Sequence, residues 1–519
     1  MIGSGHNGLT CACYLARAGL KVLVLEQYPS IGGMTNTEEL TLPGYFSDSH
    51  ALGYQLANVS PAPRELGLAA HGFELLYPEI GYSHVFPDGT SITGFRDLER
   101  TCYGIARFSN RDAGVYRNLC DLFASNIDAF AEALHTPPDT PAEHLAALES
   151  GRGGLDAYRF ELQSFRSWAG ESLEAEQTGL LLGSWCCHLG LSPDDVGGAN
   201  AAVLFATLIQ AFGNNLVRGG MANLPRALAA DLRAHGGEIR TNADVDKVIV
   251  ENGNARGLRL ADGERIDVGG LVVSNVDPQQ LGLRLIGEDV LGSRIAAKLR
   301  RYEPGESTLV IYLALDGPVE FKAGADAARS PYVHPAPSLA YLSRQFQECR
   351  SGLLPATPFA LLCNDSACDP SRAPEGKALM KFVVQPVPYV ISGDAGNTID
   401  GRSWGQVKEV FADRVIGQFT ADYIPDLSRK IVHRTVLSPI DQETLLPSAV
   451  RGTTMHGAFL PYQSGAMRPI PEMGRYRTPV ENVYLCGSGS HPGGGVSMAP
   501  GRNAAQVICR DLSLTFPPS

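Results

Sequence analysis

The feature that most constrains this chain is a set of glycines at its start. They have the spacing G-x-G-x-x-G and are Gly3, Gly5 and Gly8. Residues 9–18 are rich in helix formers and small apolar side chains, and Gly19 provides a helix end. Residues 21–25 then form a short apolar run that has the character of a buried parallel strand and leads into Glu26. A glycine turn, a helix, a strand and an acid in this order predict the start of a doubly wound sheet that binds a dinucleotide.

Each part of this unit has a physical role in dinucleotide binding. The first glycine permits the tight turn, the second lets a pyrophosphate approach the backbone, and the third lets helix and strand pack closely. The helix N-terminus offers N–H groups and a positive dipole end to the phosphates. Glu26 is expected to accept hydrogen bonds from the ribose hydroxyls. His6 and Asn7 belong to the same loop, and we expect His6 to play a structural role beside the phosphates.

The strand that should precede Gly3 is short. Only Met1 and Ile2 are available, and about five residues are missing for a normal strand. Either translation starts upstream of Met1 or leading residues are absent from this chain. We expect this edge of the sheet to be thin or disordered.

The middle of the chain repeats the alternation of helix and strand. The sequence RGGMANLP leads into a predicted helix over residues 226–235. Short strands follow within residues 238–268, and the dipeptides Asn252-Gly253 and Asp262-Gly263 predict hairpin turns between them. Residues 270–275 add another buried strand. A β-meander followed by a parallel strand is therefore expected.

The C-terminal segment has a second glycine-rich turn. A hydrophobic strand, residues 483–486, runs into Gly487, and a triple glycine, Gly493–Gly495, precedes a predicted helix over residues 497–512. A strand, a glycine turn and a helix again present backbone N–H groups to an anion. The alternative interpretation of the triple glycine is a flexible surface loop.

These segments together resemble the phytoene desaturase-like flavoproteins of the amine-oxidase-like superfamily, a group that includes phytoene desaturases, carotenoid isomerases and retinol saturases. The matching stretches are GSGHNG, the strand ending in Glu26, IGGMT, RGGMANLPRAL with its meander to SNVDP, and LCGSGSHPGGGV. The resemblance implies an α/β fold: a Rossmann-type FAD-binding domain, of the glutathione-reductase and amine-oxidase type, with an inserted α+β substrate domain. It implies FAD as the cofactor.

The resemblance also assigns residues to the flavin. The loop Gly32, Gly33, Met34 and Thr35 would run along the flavin, although a simple loop is the alternative. A backbone amide at Val245 would contact the adenine. Gly487 would lie at the phosphate or ribitol, and the N1–O2 edge of the isoalloxazine would lie near Gly494, Gly495 and Val496. A helix N-terminus there would stabilise the anionic reduced flavin.

The same resemblance implies a discontinuous flavin domain over residues 1–65, 215–290 and 465–519. Residues 66–214 and 291–464 would form the substrate domain. The first of these inserts is predicted to be helical from residue 112 to residue 148, with a proline-rich break at residues 136–141. No second G-x-G-x-x-G follows a strand, so the sequence predicts no separate NAD(P)H domain. Oxygen or a quinone would then accept the electrons.

Composition excludes other classes. The formal net charge is −12 and no basic cluster is present, which argues against nucleic-acid binding. The eleven cysteines are scattered without zinc-type spacing, so we expect no metal site, and reduced, mostly buried thiols in a cytoplasmic protein. No run of about 18 apolar residues spans a membrane. Residues 199–212 are expected to form a buried helix, with peripheral membrane contact as the alternative.

By resemblance, the leading functional hypothesis is desaturation or oxidation of a hydrophobic small molecule (polyene-, lipid- or polyketide-like) by hydride transfer to flavin N5. Three alternatives are a redox-neutral double-bond isomerase, an amine oxidase and a non-catalytic flavin-bound partner protein. His491 is the candidate acid–base residue and a flavin neighbour, although it has a structural alternative in which the ring packs the turn. Tyr82, His84, His188 and Tyr462 are candidates for lining a pocket. The sequence leaves the substrate and the oligomeric state open.

Overall fold

A computed structural model describes residues 1–51, 53–151 and 153–517. Its strands, β1 to β20 in chain order, are Leu23–Leu25, Thr37–Glu38, Ser47–Asp48, Leu75–Leu76, Ile80–Val85, Ser91–Phe95, Leu216–Val217, Glu238–Arg240, Val245–Glu251, Asn254–Leu260, Arg265–Asp267, Val272–Ser274, Ser307–Leu315, Tyr332–Pro335, Leu353–Leu354, Ala360–Cys363, Ala378–Val387, Gly393–Asp394, Ile431–Leu437 and Val483–Leu485.

The α-helices of the described residues, α1 to α19 in chain order, are His6–Arg17, Ala62–Glu65, Leu98–Ala106, Asn110–Ser125, Ile127–His135, Pro141–Ser150, Gly154–Leu162, Phe165–Ser172, Glu176–His188, Gly198–Phe212, Asn223–Ala234, Glu288–Leu291, Ser293–Arg300, Ala325–Arg329, Leu339–Arg350, Trp404–Asp422, Leu427–Lys430, Pro439–Leu445 and Ala499–Asp511. A π-helix covers Gln280–Gly287.

A small parallel sheet combines strands from the start, the middle and the end of the chain. β1 pairs in parallel with β8, and β12 pairs in parallel with β20. Ile2 joins the two pairs through parallel bridges to Leu25 and to Ser274. Helices α1, α11 and α19 pack against this sheet in one apolar core. The order of strands and helices is that of a doubly wound nucleotide-binding unit.

The expected weak edge at the N-terminus is wrong. Ile2 lies in the middle of the sheet and is buried. Its N–H donates to the Val273 carbonyl at 2.8 Å, and its own carbonyl accepts from Asn275 N–H at 2.9 Å. The Gly3 N–H bonds to Leu25 on the other side at 2.8 Å. Neighbouring strands on both sides therefore hold a strand of minimal length in place.

The predicted meander is confirmed. β9, β10 and β11 are antiparallel neighbours, and the two predicted hairpin dipeptides lie at their turns. Asn252 adopts a φ of +51° and Gly253 a φ of +79°, the left-handed conformations that such a turn requires.

The second unit is built on a seven-stranded sheet with the order β19-β13-β17-β16-β14-β5-β6. Alternate residues of β13 face opposite layers. Ile311 and Leu313 pack with α16 on one face, whereas Val310 and Tyr312 pack towards α9, α10 and α15 on the other. Because both faces are covered, every residue of β13 is buried.

The strands of this sheet come from residues 80–95 and 307–437, inside the two segments predicted for the substrate domain. The helices α4, α5 and α6 follow the predicted helical stretch, and the chain leaves helical geometry between α5 and α6 at the proline-rich break. The α/β fold with an inserted α+β part is confirmed. The numerical domain boundaries remain predictions.

The helix predicted over residues 199–212 is α10, which is buried along most of its length inside the helical layer. It is a core helix and not a membrane-contacting one. Among the described residues, no helix combines the length and the apolar character that crossing a bilayer requires. All eleven cysteines are free thiols and ten of them are buried, so the expectation of mostly buried thiols is confirmed.

The contact of α1 with α19 yields a stability prediction. A Cβ on Gly501 of α19 would overlap the carbonyl oxygen of Asn7 in α1. Gly501→Ala is expected to lower the free energy of unfolding by about 1–3 kcal/mol, because the two helices would have to separate. Gly114→Ala, in the open middle of α4, is expected to raise it by up to about 1 kcal/mol. Denaturant unfolding of both variants measures the difference, and equal stabilities would contradict the close contact.

Candidate functional site

The N-terminal glycine turn is built around the side chain of Asn275, which follows β12. A Cβ on Gly5 would lie 2.6 Å from Asn275 Nδ2, and a Cβ on Gly8 would lie 2.9 Å from Asn275 Cβ. Gly3 adopts a φ of +87° and touches the same side chain. The absence of side chains at these glycines therefore leaves room for the Asn275 side chain as well as for a ligand.

Helix α1 begins at His6, and Gly5 is its N-cap residue. The first amides of a helix have no partner inside the helix, so they are available to a phosphate. They open onto a cleft between the N-terminal turn and the residues around 243–245 and 275–276. The predicted cofactor residues that line it are Gly3, Gly5, His6, Asn7, Glu26, Gly32, Gly33, Met34 and Val245.

Glu26 is held in place at the tip of β1. Its Oε2 accepts hydrogen bonds from the Ser4 N–H at 2.9 Å and the Ser4 hydroxyl at 2.7 Å, and its Oε1 accepts from the Tyr28 N–H at 3.0 Å. These bonds fix the carboxylate while leaving further lone pairs for ribose hydroxyls. Ser4 is a positioning residue that the sequence analysis missed, because it occupies a variable position of the glycine motif.

The second glycine pair also lies at the cleft. Gly32 and Gly33 have φ values of +117° and +54°, and the Gly32 N–H donates to the Ser4 carbonyl at 3.1 Å. Thr35 closes this turn, because both its N–H and its hydroxyl bond to the Gly32 carbonyl. Met34 projects its sulfur towards His456. Thr35 therefore shapes the loop, whereas the three residues before it face the cleft.

The C-terminal glycine turn joins the N-terminal one. A Cβ on Gly487 would lie 2.5 Å from the Asn275 carbonyl oxygen, so the two chain ends meet at this residue. The Asn7 amide nitrogen donates to the Ser488 hydroxyl at 3.0 Å, and Ser488 lines the cleft. In the turn with Gly494, Gly495 and Val496, a Cβ on Gly494 would lie 2.6 Å from the carbonyl oxygen of Met455, the residue before His456.

His491 lies elsewhere. Its Nε2 is 3.1 Å from the carbonyl oxygen of Ala133 in α5, and its own carbonyl accepts a hydrogen bond from the Tyr476 hydroxyl at 2.9 Å. The residue does not belong to the described lining of the cleft. The structure accounts for His491 by packing, so we do not retain it as an acid–base candidate.

The other pocket candidates also lie outside the cleft. Tyr82, His84 and His188 are enclosed between the seven-stranded sheet and its helices, where His188 Nε2 is 2.8 Å from His334 Nε2. Tyr462 is exposed and bonds through its hydroxyl to Glu303.

The structure brings histidines to the cleft that the sequence analysis did not identify. His456 lines the cleft, and His50 lies close to His456. Burial lowers the pKa of His6, His50 and His456 to about 4 each, so all three imidazoles are neutral near pH 7. Their positions in the chain are far apart, and no spacing in the sequence connects them.

Two buried cations, Arg468 and Lys381, lie near these imidazoles. Arg468 donates to five carbonyls, those of Met455, His456, Gly457, Ala458 and Ser488. Lys381 lies beside His50 and donates to the carbonyls of Asp48 at 2.9 Å and Ala51 at 3.4 Å. A lone arginine in a loop and a lone lysine in a strand carry no sequence signal for such a role.

The donor set fits the dinucleotide that the resemblance implies. Free helix amides for phosphate, a fixed carboxylate for ribose and the backbone of residues 243–245 for adenine all line one cleft. His6 Nε2 and Asn7 Oδ1 are also buried there without a partner among the described residues. Unsatisfied buried polar atoms of this kind point to a ligand that completes them.

Comparisons with known proteins agree with this geometry. The family described as flavin containing amine oxidoreductase matches residues 8–509. Pyridine nucleotide-disulfide oxidoreductase domain-containing protein 2 from Mus musculus is 30% identical over 99% of this chain and 93% of its own length. A limonene dehydrogenase polypeptide from Castellaniella defragrans is also 30% identical, over 99% of this chain and 95% of its own length.

A phytoene desaturase (lycopene-forming) from Pseudescherichia vulneris is 26% identical over 99% of both chains. Among solved structures, an oxidoreductase from Methanosarcina mazei has a TM-score of 0.61 at 18% identity and covers 98% of this chain and 99% of its own. That structural likeness shows the shared fold.

The hydrogen bonds that fix the Glu26 carboxylate lead to a prediction about FAD binding. Glu26→Gln is expected to weaken FAD binding about tenfold, or about 1.4 kcal/mol, because a neutral amide is a poorer acceptor for the ribose hydroxyls. Glu481→Gln, an exposed acid, is the matched control and is expected to bind FAD like the wild type. Equilibrium dialysis against FAD measures both. Equal affinities of the two variants would contradict the ribose contact.

Proposed function

We propose that this chain, which belongs to the family of flavin containing amine oxidoreductases, oxidises an uncharged, apolar organic molecule by removing a hydride and a proton from neighbouring carbons. It is an oxidoreductase and its cofactor is FAD. FAD supplies the hydride acceptor when bound. The chain's own residues bind and orient the two molecules, keep water out and receive the proton.

The observation that supports this proposal is the positive charge of two buried side chains near the cleft. Arg468 and Lys381 are both buried, and within the described chain their hydrogen bonds all go to main-chain carbonyls. Because charges interact strongly in a low-dielectric interior, two buried cations that form no ion pair among the described residues disfavour a protonated amine nearby. The binding of a neutral substrate is not opposed by this electrostatic repulsion. This charge pattern therefore supports a hydrocarbon-like substrate over an amine.

The three tryptophans of the chain lie away from the described lining of the cofactor cleft. That lining has no Phe or Tyr side chain either. Trp168 and Trp185 lie in the helical layer, and Trp404 lies on the opposite face of the seven-stranded sheet. The family name therefore does not determine the substrate of this member.

Two relatives point to the same substrate class. Limonene dehydrogenase and phytoene desaturase are named for reactions that withdraw hydrogen from hydrocarbons. Both relatives align along almost the whole chain. We propose a terpene- or polyene-like substrate on this basis.

Oxygen or a quinone would take up the electrons that the substrate loses. The sequence has one G-x-G-x-x-G turn of the dinucleotide type, and it serves FAD, which leaves no second turn of this kind for NAD(P)H. A redox-neutral isomerisation would need no acceptor at all, and it is an outcome of the experiment below.

Anaerobic mixing of the FAD-loaded protein with a cyclic terpene, a linear polyene and a diamine tests the proposal. We expect one hydrocarbon to bleach the flavin absorbance with formation of a product that has lost two hydrogens, while the diamine leaves the flavin oxidised. Free FAD under the same conditions is the control. Bleaching by the diamine alone would overturn the proposal, and a rearranged hydrocarbon of unchanged mass would replace it with isomerisation.

A further inference from the structure

We propose that His456 is a catalytic residue of this protein, whose imidazole takes the proton that the substrate loses as its hydride passes to the flavin. This inference rests on the proposed function and adds the proton acceptor that it lacks. The evidence is the placement of His456, the way in which its backbone is held and the absence of a structural task for its ring among the described residues.

The backbone of His456 has an uncommon conformation. Its φ is +51°, a value that bulky side chains rarely adopt. Such a conformation persists where the surroundings over-determine it, and in folded proteins it concentrates at functional sites. The neighbouring Gly457 has a φ of +134°, and a Cβ there would overlap the Tyr302 hydroxyl.

Two side chains hold this backbone. The His456 carbonyl accepts a hydrogen bond from the Tyr302 hydroxyl at 2.6 Å and another from Arg468 Nη2 at 3.3 Å. Arg468 also donates to the Ser488 carbonyl at 3.0 Å, in the C-terminal glycine turn. One guanidinium therefore ties the segment that carries His456 to a turn that lines the same cleft. Burying that charge is costly, and its many hydrogen bonds offset the cost.

The ring of His456 is left without a strong partner in the described part of the chain. It lines the cleft, and its Nε2 is 3.2 Å from the sulfur of Met34, in the loop predicted to run along the flavin. A thioether is a weak acceptor, so this contact orients the imidazole without engaging it firmly. His491, in contrast, has its ring nitrogen bonded to a carbonyl of α5. A positioned imidazole with a free nitrogen is suited to proton transfer.

The charges around His456 favour the neutral ring. The titratable groups facing it are His6, His50 and Arg468, with Lys381 beyond His50. Burial, with a smaller contribution from the charge of Arg468, lowers the pKa of His456 to about 4. Asp277 lies close to Arg468, and burial raises the pKa of its carboxyl to about 7. The imidazole is therefore unprotonated near neutral pH and, once charged, is driven by these cations to release its proton.

In this step the substrate loses two hydrogens. Two neighbouring C–H bonds of the substrate break and a C=C bond forms. One hydrogen would leave with its electron pair for the hydride acceptor that FAD supplies when bound, and the other leaves as a proton and binds a nitrogen of His456. The proton passes on to water, and oxygen or a quinone would take up the electron pair.

His456→Gln, which keeps the size and polarity of the side chain but cannot take the proton, tests the assignment. We expect its flavin to be reduced by the hydrocarbon substrate about a hundredfold or more slowly than in the wild type. Its FAD content and its reduction by dithionite should be unchanged. His433→Gln, an exposed histidine on β19, is the matched control and should be reduced at the wild-type rate.

The pH dependence gives a second readout. A group that acts as a neutral base loses its effect as the pH falls through its pKa, so wild-type flavin reduction should decline on the acid side, towards pH 4. His456→Gln should lack this acid limb. If the glutamine variant fails to retain FAD, Tyr302→Phe decides the question, because it removes only one hydrogen bond to the His456 carbonyl. It should slow reduction about tenfold while keeping the acid limb.

The two proposals fail in different ways. If no hydrocarbon reduces the wild-type flavin, the proposed function falls, and the assignment of His456 falls with it. If the wild type is reduced and His456→Gln is reduced equally fast, only the assignment of His456 is overturned. An unchanged rate in Tyr302→Phe would overturn it as well.

Discussion

The contact of Asn275 with glycines from both ends of the chain is the constraint on which the rest of the structure depends. Its side chain fills the space between the N-terminal glycines, and its carbonyl lies where a Cβ of Gly487 would be. A side chain at Gly5 or Gly487 would push the two turns apart. Because these turns form one cleft together with Glu26, the packing of a single asparagine also sets the geometry of the cofactor site.

The chemistry of the site follows from burial and charge behind that cleft. Several imidazoles reach it from distant parts of the chain, and burial keeps them neutral. The cations Arg468 and Lys381 hydrogen-bond to carbonyl groups and form no ion pair among the described residues. A site of this kind accommodates an uncharged substrate and an anionic reduced flavin more easily than an ammonium ion. The same electrostatics therefore links the cofactor, the substrate class and the proton acceptor.

Much of the fold could be predicted from local pattern. The glycine spacing, the helix formers of α1 and the hairpin dipeptides of the meander depend on neighbours in sequence, and each appears where expected. The short N-terminal strand shows the limit of that reasoning. Strand length alone predicted a weak edge, but Ile2 is held by a strand on each side, one of them formed about 270 residues later in the chain. Pairing between distant segments has no signal in the local sequence.

The sequence by itself indicated a dinucleotide-binding fold with two glycine turns, because turns, caps and buried strands leave fixed spacings. Only the tertiary structure decided which polar groups face the site. In the folded chain the His491 ring bonds to a carbonyl of α5. His456 lies in the cleft, where Tyr302 and Arg468 donate hydrogen bonds to its carbonyl. The physical reason is that a backbone motif is encoded by residues a few positions apart. The environment of a side chain depends on whichever segments the fold packs around it.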